Sequence, residues 1–165
     1  MDKELQNIVF NGAYPDRFEQ EPFKSVRTVT VGEVVQLVNS RIGQADFSAN
    51  VRGNYNNRCC FPGCIVADSS FLVGSHIARW ADVPELRGEV SNGLCLCLMH
   101  DKAFESGYFT ISENYTVVVN RLKAEESEWV LANIAPYDGQ SIRLGAVLPS
   151  DDALLHHWIR TGFYE

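Results

Sequence analysis

FLVGSHIARWADVPELRGEVSNGLCLCLMHDKAFESG, residues 71–107, is the stretch on which the fold turns. Around its start, Ser70–Ile77 predicts a strand. Ala81–Asn92 follows as a polar loop, and Leu94–Leu96 is a short apolar run. Cys97–Ser106 then fits a helix that Gly107 ends. This order puts His76 at a strand end, Asn92 at the close of a loop and Asp101 on a helix. An imidazole, an amide and a carboxylate brought together in this way suit metal-assisted phosphodiester hydrolysis. Histidine takes a proton from water, and a metal held by the carboxylate meets the charge developing on the phosphate.

Upstream, residues 1–25 carry few periodic apolar positions and read as an irregular arm, interrupted by Pro15 and Pro22. Val31–Ile42 has helical apolar spacing with Thr30 as its N-cap, and Gly43 punctuates it. Gln44–Tyr55 predicts a second helix with Phe47, Val51 and Tyr55 on one face. Asn56-Asn57 and Pro62-Gly63 mark loops. Downstream, Tyr108–Ile111 and Tyr115–Asn120 predict a β-hairpin, and Glu125–Asn133 a helix. Asp151-Asp152 open a last amphipathic helix through Ile159.

Five cysteines fall between Cys59 and Cys97, and His76 and His100 lie in or next to that window. Cys97-x2-His100 at a helix start supplies two ligands for a tetrahedral ion. Cys64 with Cys59 or Cys60 supplies the other two, on a knuckle turned by Pro62-Gly63, and spacing alone does not choose between them. The adjacent pair His156-His157 faces two directions on a helix and reads as structural. Trp80 reads as packing or as a wall of the site, and Arg79, Arg87 and Lys102 as phosphate contacts or solvated charges.

The 165 residues suit one compact domain with at most a small appendage, and 45% apolar with 21% charged residues excludes wholesale disorder. The longest apolar runs are far too short to span a membrane, and no apolar stretch follows Met1–Glu4, so the expectation is a cytoplasmic chain. In that compartment cysteines serve as metal ligands or thiols rather than disulfides. Net charge is −7, but Arg41–Phe104 is balanced, six charges against six, and the acidic excess lies in the flanks. A neutral centre permits contact with DNA without calling for it.

The run YNNRCCFPGC, then SHIARW, NGL, CLMHD and FESG, resembles the HNH endonucleases, in the subgroup of restriction and other bacterial defence nucleases. The resemblance covers Asn54–Ile111, and more weakly RIGQADF (Arg41–Phe47) and LLHHWIRTGF (Leu154–Phe163). It implies an α+β fold: a ββα-metal nuclease core with a zinc knuckle, N-terminal helices, a β-hairpin and a C-terminal helix. Residues 41–165 would form the nuclease domain, with 1–40 an arm and helix of unassigned role.

By the same resemblance His76 is the general base, Asn92 braces the loop and orients it, and Asp101 binds the catalytic Mg²⁺, Mn²⁺ or Ni²⁺. Cys59, rather than Cys60, joins Cys64, Cys97 and His100 around a structural Zn²⁺. The family commonly has Asp or His before the general base, where this chain has Ser75, and Asp after the motif's Phe, where it has Glu105. Glu105 is one helical turn beyond Asp101 and is a weaker candidate for the catalytic ion. The implied activity is DNA cleavage in restriction or anti-phage defence, through a homodimer if both strands are cut, with recruitment by a protein partner. The competing reading is a catalytically inactive zinc-stabilised module that binds DNA or protein.

Overall fold

The computed structural model describes residues 43–164. The arm and the Val31–Ile42 helix expected from sequence lie outside the described residues. The first described element is α1 (Gln44–Asn54), which buries Phe47 and Val51, with Tyr55 buried just beyond its end. Two consecutive residues in the left-handed region, Asn56 and Asn57, turn the chain out of it. Asparagine tolerates that conformation better than most residues, which is why this pair reads as a loop.

A 3₁₀ turn at Ser69–Phe71 leads into β1 (Leu72–His76), which pairs antiparallel with β2 (Gly93–Cys97). The register sets Leu72 opposite Cys97 and His76 opposite Gly93. The polar loop expected between them carries two 3₁₀ turns, Pro84–Leu86 and Val90–Asn92. All five residues of β2 are buried, and the chain passes directly into α2 (Leu98–Glu105). Together these elements form a ribbon of two strands and a following helix.

Two glycines explain how α1 lies against this ribbon. A Cβ on Gly74 would stand 2.7 Å from the Ser48 Cα, and one on Gly93 would stand 2.3 Å from a Val51 methyl. No side chain larger than hydrogen fits between helix and sheet at either point. The bare backbone is also satisfied there, because the Gly74 N–H donates to Ser48 Oγ at 3.1 Å.

A second ribbon, β3 (Phe109–Ile111) and β4 (Val117–Val119), matches the expected hairpin. The helix expected at Glu125–Asn133 begins three residues later, as α4 (Glu128–Asn133), and a short α3 (Arg121–Ala124) that the spacing does not announce precedes it. Capping sets both starts. The Asn120 side chain accepts from the Lys123 N–H, and the Ser127 hydroxyl accepts from the Val130 N–H, so each short helix has its own start. The last helix, α5 (Asp151–Thr161), is capped by Ser150 and closed by Gly162 at φ +78°.

Helix α5 is fastened to β3 by buried polar contacts. Trp158 Nε1 donates to the Ile111 carbonyl at 2.8 Å. His157, fully buried and stacked on Phe104 at 3.8 Å, places Nε2 3.2 Å from the Phe104 carbonyl and Nδ1 2.8 Å from the Thr110 hydroxyl. A carbonyl only accepts, so Nε2 carries the hydrogen, Nδ1 accepts from Thr110 and the ring is neutral. This matches the structural role expected of one member of the His156-His157 pair, and His156 is exposed.

Burial, with Arg160 nearby, pushes the His157 pKa from its ordinary 6.5 down to about 3. The unfolded chain therefore binds a proton that the folded chain refuses. This contribution to stability is complete above pH 6.5 and is lost as pH falls toward 3, at a slope approaching about 1.4 kcal/mol per pH unit. Urea unfolding at pH 7.5 and pH 5 should show the wild-type chain losing more stability on acidification than His157→Gln. Equal losses would remove His157 as the cause.

Candidate active site

His76 ends β1 on the face that α1 covers. Its ring stacks on Phe47 with centroids 3.8 Å apart and planes 11° from parallel, and meets Trp80 edge-on at 5.7 Å. His76 Nε2 lies 3.0 Å from the Arg87 carbonyl. The carbonyl can only accept, so Nε2 bears the hydrogen and the lone pair of the neutral imidazole is on Nδ1. A cavity of about 240 Å³ opens beside the ring, lined by His76, Arg79, Trp80, Ala81 and Glu105. Arg87 itself is spent on packing: Nε donates to the Trp80 carbonyl at 2.7 Å and the guanidinium lies 5.2 Å from the centre of the Trp80 ring.

Asn92 is fully buried, and its side chain is hydrogen-bonded to the backbone of Ala78 and Leu86. It ties together the two ends of the 77–92 loop. Its Oδ1 accepts from the Ala78 N–H at 2.7 Å, and Nδ2 donates to the carbonyls of Ala78 (3.1 Å) and Leu86 (3.0 Å). Its own carbonyl accepts from the Ile77 N–H at 2.9 Å. One amide thus fixes the residue after His76's neighbour and the residue before Arg87, whose carbonyl orients the imidazole. Asn92→Ala should leave these three backbone groups unsatisfied in the interior and cost about 3 kcal/mol or more in urea unfolding. A loss below about 1 kcal/mol would show that water replaces the amide.

Asp101 sits in the first turn of α2 and is not among the residues that line this cavity. Successive residues of a strand alternate faces, so Ser75 points to α2 while His76 points to α1. Ser75 is near enough to Asp101 to act on its carboxyl. Burial holds the Asp101 carboxyl above its usual range, against the lowering influence of Ser75. The oxygen donors of Asp101 and Ser75 are of the kind that hard divalent cations select, and such ions keep several waters beside one or two carboxylates. Glu105 is differently engaged. Its Oε2 receives Arg79 Nε at 3.2 Å and Nη2 at 3.1 Å, and its Oε1 lies 3.6 Å from Arg160 Nη2.

Cys59, Cys64, Cys97 and His100 converge, their ligand atoms all within 4.8 Å of one another. His100 Nδ1 is 3.0 Å from Cys97 Sγ and 3.5 Å from Cys59 Sγ. Phe61 stacks on the His100 ring at 4.0 Å and fixes its plane. The Cys97 thiol is pushed down, first by a hydrogen bond from Cys59 and then by His100, while the same bond and burial push Cys59 up. The cluster thus favours a thiolate, the form that binds metal. Three sulfurs and one imidazole nitrogen at this spacing fit a tetrahedral zinc ion. Cys60 is outside the cluster, buried, with its thiol raised by that burial.

His76 and Glu105 therefore share a cavity that Asp101 does not line, and Asp101 lies near Ser75, the residue before His76. Two participants escaped the sequence reading. Phe47 shows there as a core position, with nothing to mark it as the imidazole's stacking partner. Arg160 lies in the LLHHWIRTGF segment, whose resemblance was the available signal.

Residues 59–112 match a family model described as HNH endonuclease. Among solved structures, one described as a modification-dependent TagI restriction endonuclease aligns with 21% identity and a TM-score of 0.48. That alignment covers 70% of this chain and 37% of the other, so the chain spans little more than a third of that neighbour's length. No curated protein matches. No described helix is long and apolar enough to cross a membrane.

Proposed function

We propose that this chain, whose residues 59–112 carry the HNH endonuclease signature, hydrolyses phosphodiester bonds of DNA with the help of a divalent cation. The observation that carries the reading is the imidazole of His76, locked in one tautomer by the Arg87 carbonyl on the wall of an open cavity. Nδ1 of His76 takes the proton of the attacking water, a role that imidazole fills more often than any other side chain. Asn92 is a positioning residue, acting through the loop that presents the Arg87 carbonyl. Asp101, with Ser75 beside it, would hold magnesium, manganese or nickel. That ion supplies Lewis-acid stabilisation of the charge on the phosphate and the leaving oxygen.

Cys59, Cys64, Cys97 and His100 would hold a structural zinc, which joins the residue 59–64 turn to the start of α2 and takes no part in the reaction. The biological setting is restriction or another anti-phage role in a bacterial cytoplasm, with a homodimer where both strands are cut and a protein partner for recruitment. Zinc-loaded protein incubated with plasmid DNA and Mg²⁺, Mn²⁺ or Ni²⁺ should nick or linearise it. DNA or protein binding without cleavage under all three ions would leave the inactive binding module as the reading.

A further inference from the structure

Arg160 reaches from α5 to the end of α2, donating from Nη1 to the Glu105 carbonyl at 3.0 Å. Its side chain is only 17% exposed, yet Nε and Nη2 are buried without a hydrogen-bond partner among the described residues. Buried donors are nearly always satisfied, so two idle ones on a single guanidinium call for a reason. The carboxylate beside them is that of Glu105, whose Oε1 is ion-paired with Nη2 at 3.6 Å but beyond hydrogen-bond range. Glu105 has a second partner: Arg79 donates two hydrogen bonds to Oε2, and both residues line the cavity beside His76. That second pair is half exposed, and pairs of this kind contribute little to stability.

We infer that Arg79 is an exchangeable phosphate contact, and that Glu105 passes from Arg79 to Arg160 when a DNA phosphate enters the cavity. The inference rests on the nuclease reading. Guanidinium binds phosphate as readily as carboxylate, through the same paired hydrogen bonds. As Arg79 turns to the phosphate, Glu105 is left with a negative charge in a half-buried place. Nε and Nη2 of Arg160 then donate hydrogen bonds to that carboxylate, tightening the existing ion pair, so the exchange strands no ion. Glu105 is then a counter-anion for arginines rather than a ligand of the catalytic cation, and Arg79 places the phosphate beside Nδ1 of His76.

The test uses the full chain with zinc bound, His76→Ala as the background to prevent cleavage, and a short DNA duplex followed by fluorescence anisotropy over a range of salt. Adding Arg79→Gln should weaken binding and reduce the slope of log K against log[salt] by about 0.9, the signature of one lost phosphate contact. Adding Glu105→Gln should tighten binding several-fold, because Arg79 is released. Adding Arg160→Gln should weaken it, because Glu105 then stays on Arg79; Arg160→Lys guards against misfolding and should fall between. An unchanged salt slope in Arg79→Gln overturns the exchange. So does Glu105→Gln if it leaves DNA affinity alone and weakens Mn²⁺ binding instead, which would make Glu105 a metal ligand. If the parent chain neither binds nor cuts DNA under any ion, the nuclease reading itself fails.

Discussion

Replacing His76 with alanine is expected to lower the rate of plasmid cleavage by about a hundredfold to ten-thousandfold, the range over which a positioned general base contributes. Folding should survive the change. The imidazole is half-buried, and its removal leaves the Arg87 carbonyl to be met by water in the vacated space. Zinc content and melting temperature therefore serve as controls, and both should stay close to those of the parent chain. His76→Gln is informative as a companion. It refills part of the volume and keeps a donor for the Arg87 carbonyl, but offers no basic nitrogen, so it should be as inactive as alanine. Cleavage by either variant at the parent rate would assign the proton transfer elsewhere and leave the imidazole as packing between Phe47 and Trp80.

Loss of zinc should have the larger effect on the fold. Structural zinc contributes about 10–16 kcal/mol in small zinc-binding peptides, against a total stability of about 5–15 kcal/mol for an ordinary domain. The ligands explain why little would hold without it. Cys59 and Cys64 sit on a turn with no helix or strand of its own, and Cys97 and His100 stand where β2 becomes α2. Elemental analysis should find about one zinc per chain. A strong chelator should bring about cooperative unfolding seen by circular dichroism. Cys64→Ser and Cys97→Ser should each lose the metal, whereas Cys60→Ala should retain it, since the Cys60 thiol lies outside the converging set. A well-folded chain without metal, or zinc lost on changing Cys60 and kept on changing Cys59, would overturn the assignment.

Much of this arrangement can be read from the residues because local chemistry enforces it. Gly107 at φ +71° ends α2 where the spacing places the end, and the apolar positions Phe47, Val51 and Tyr55 are buried as a helical face requires. The cysteine and histidine spacing likewise brings four donors to one point. What escapes depends on partners distant in sequence. The late start of α4 at Glu128 follows from the Ser127 cap, and the short α3 before it from the Asn120 cap. The Phe47–His76 stack joins residues 29 positions apart through a gap cleared by two glycines, and no periodicity records such a gap. Glu105 looks like a helix charge open to water until Arg160, on the last helix, is brought beside it.

The glycine seam has a practical consequence for anyone trimming this chain. The family match begins at residue 59, after α1 has ended. A fragment cut to that boundary would strip the Phe47 ring from the imidazole and uncover two backbone stretches that have no side chains of their own to shield them. Silence from such a fragment in a cleavage assay would report the missing wall, not the chemistry of the residues left behind.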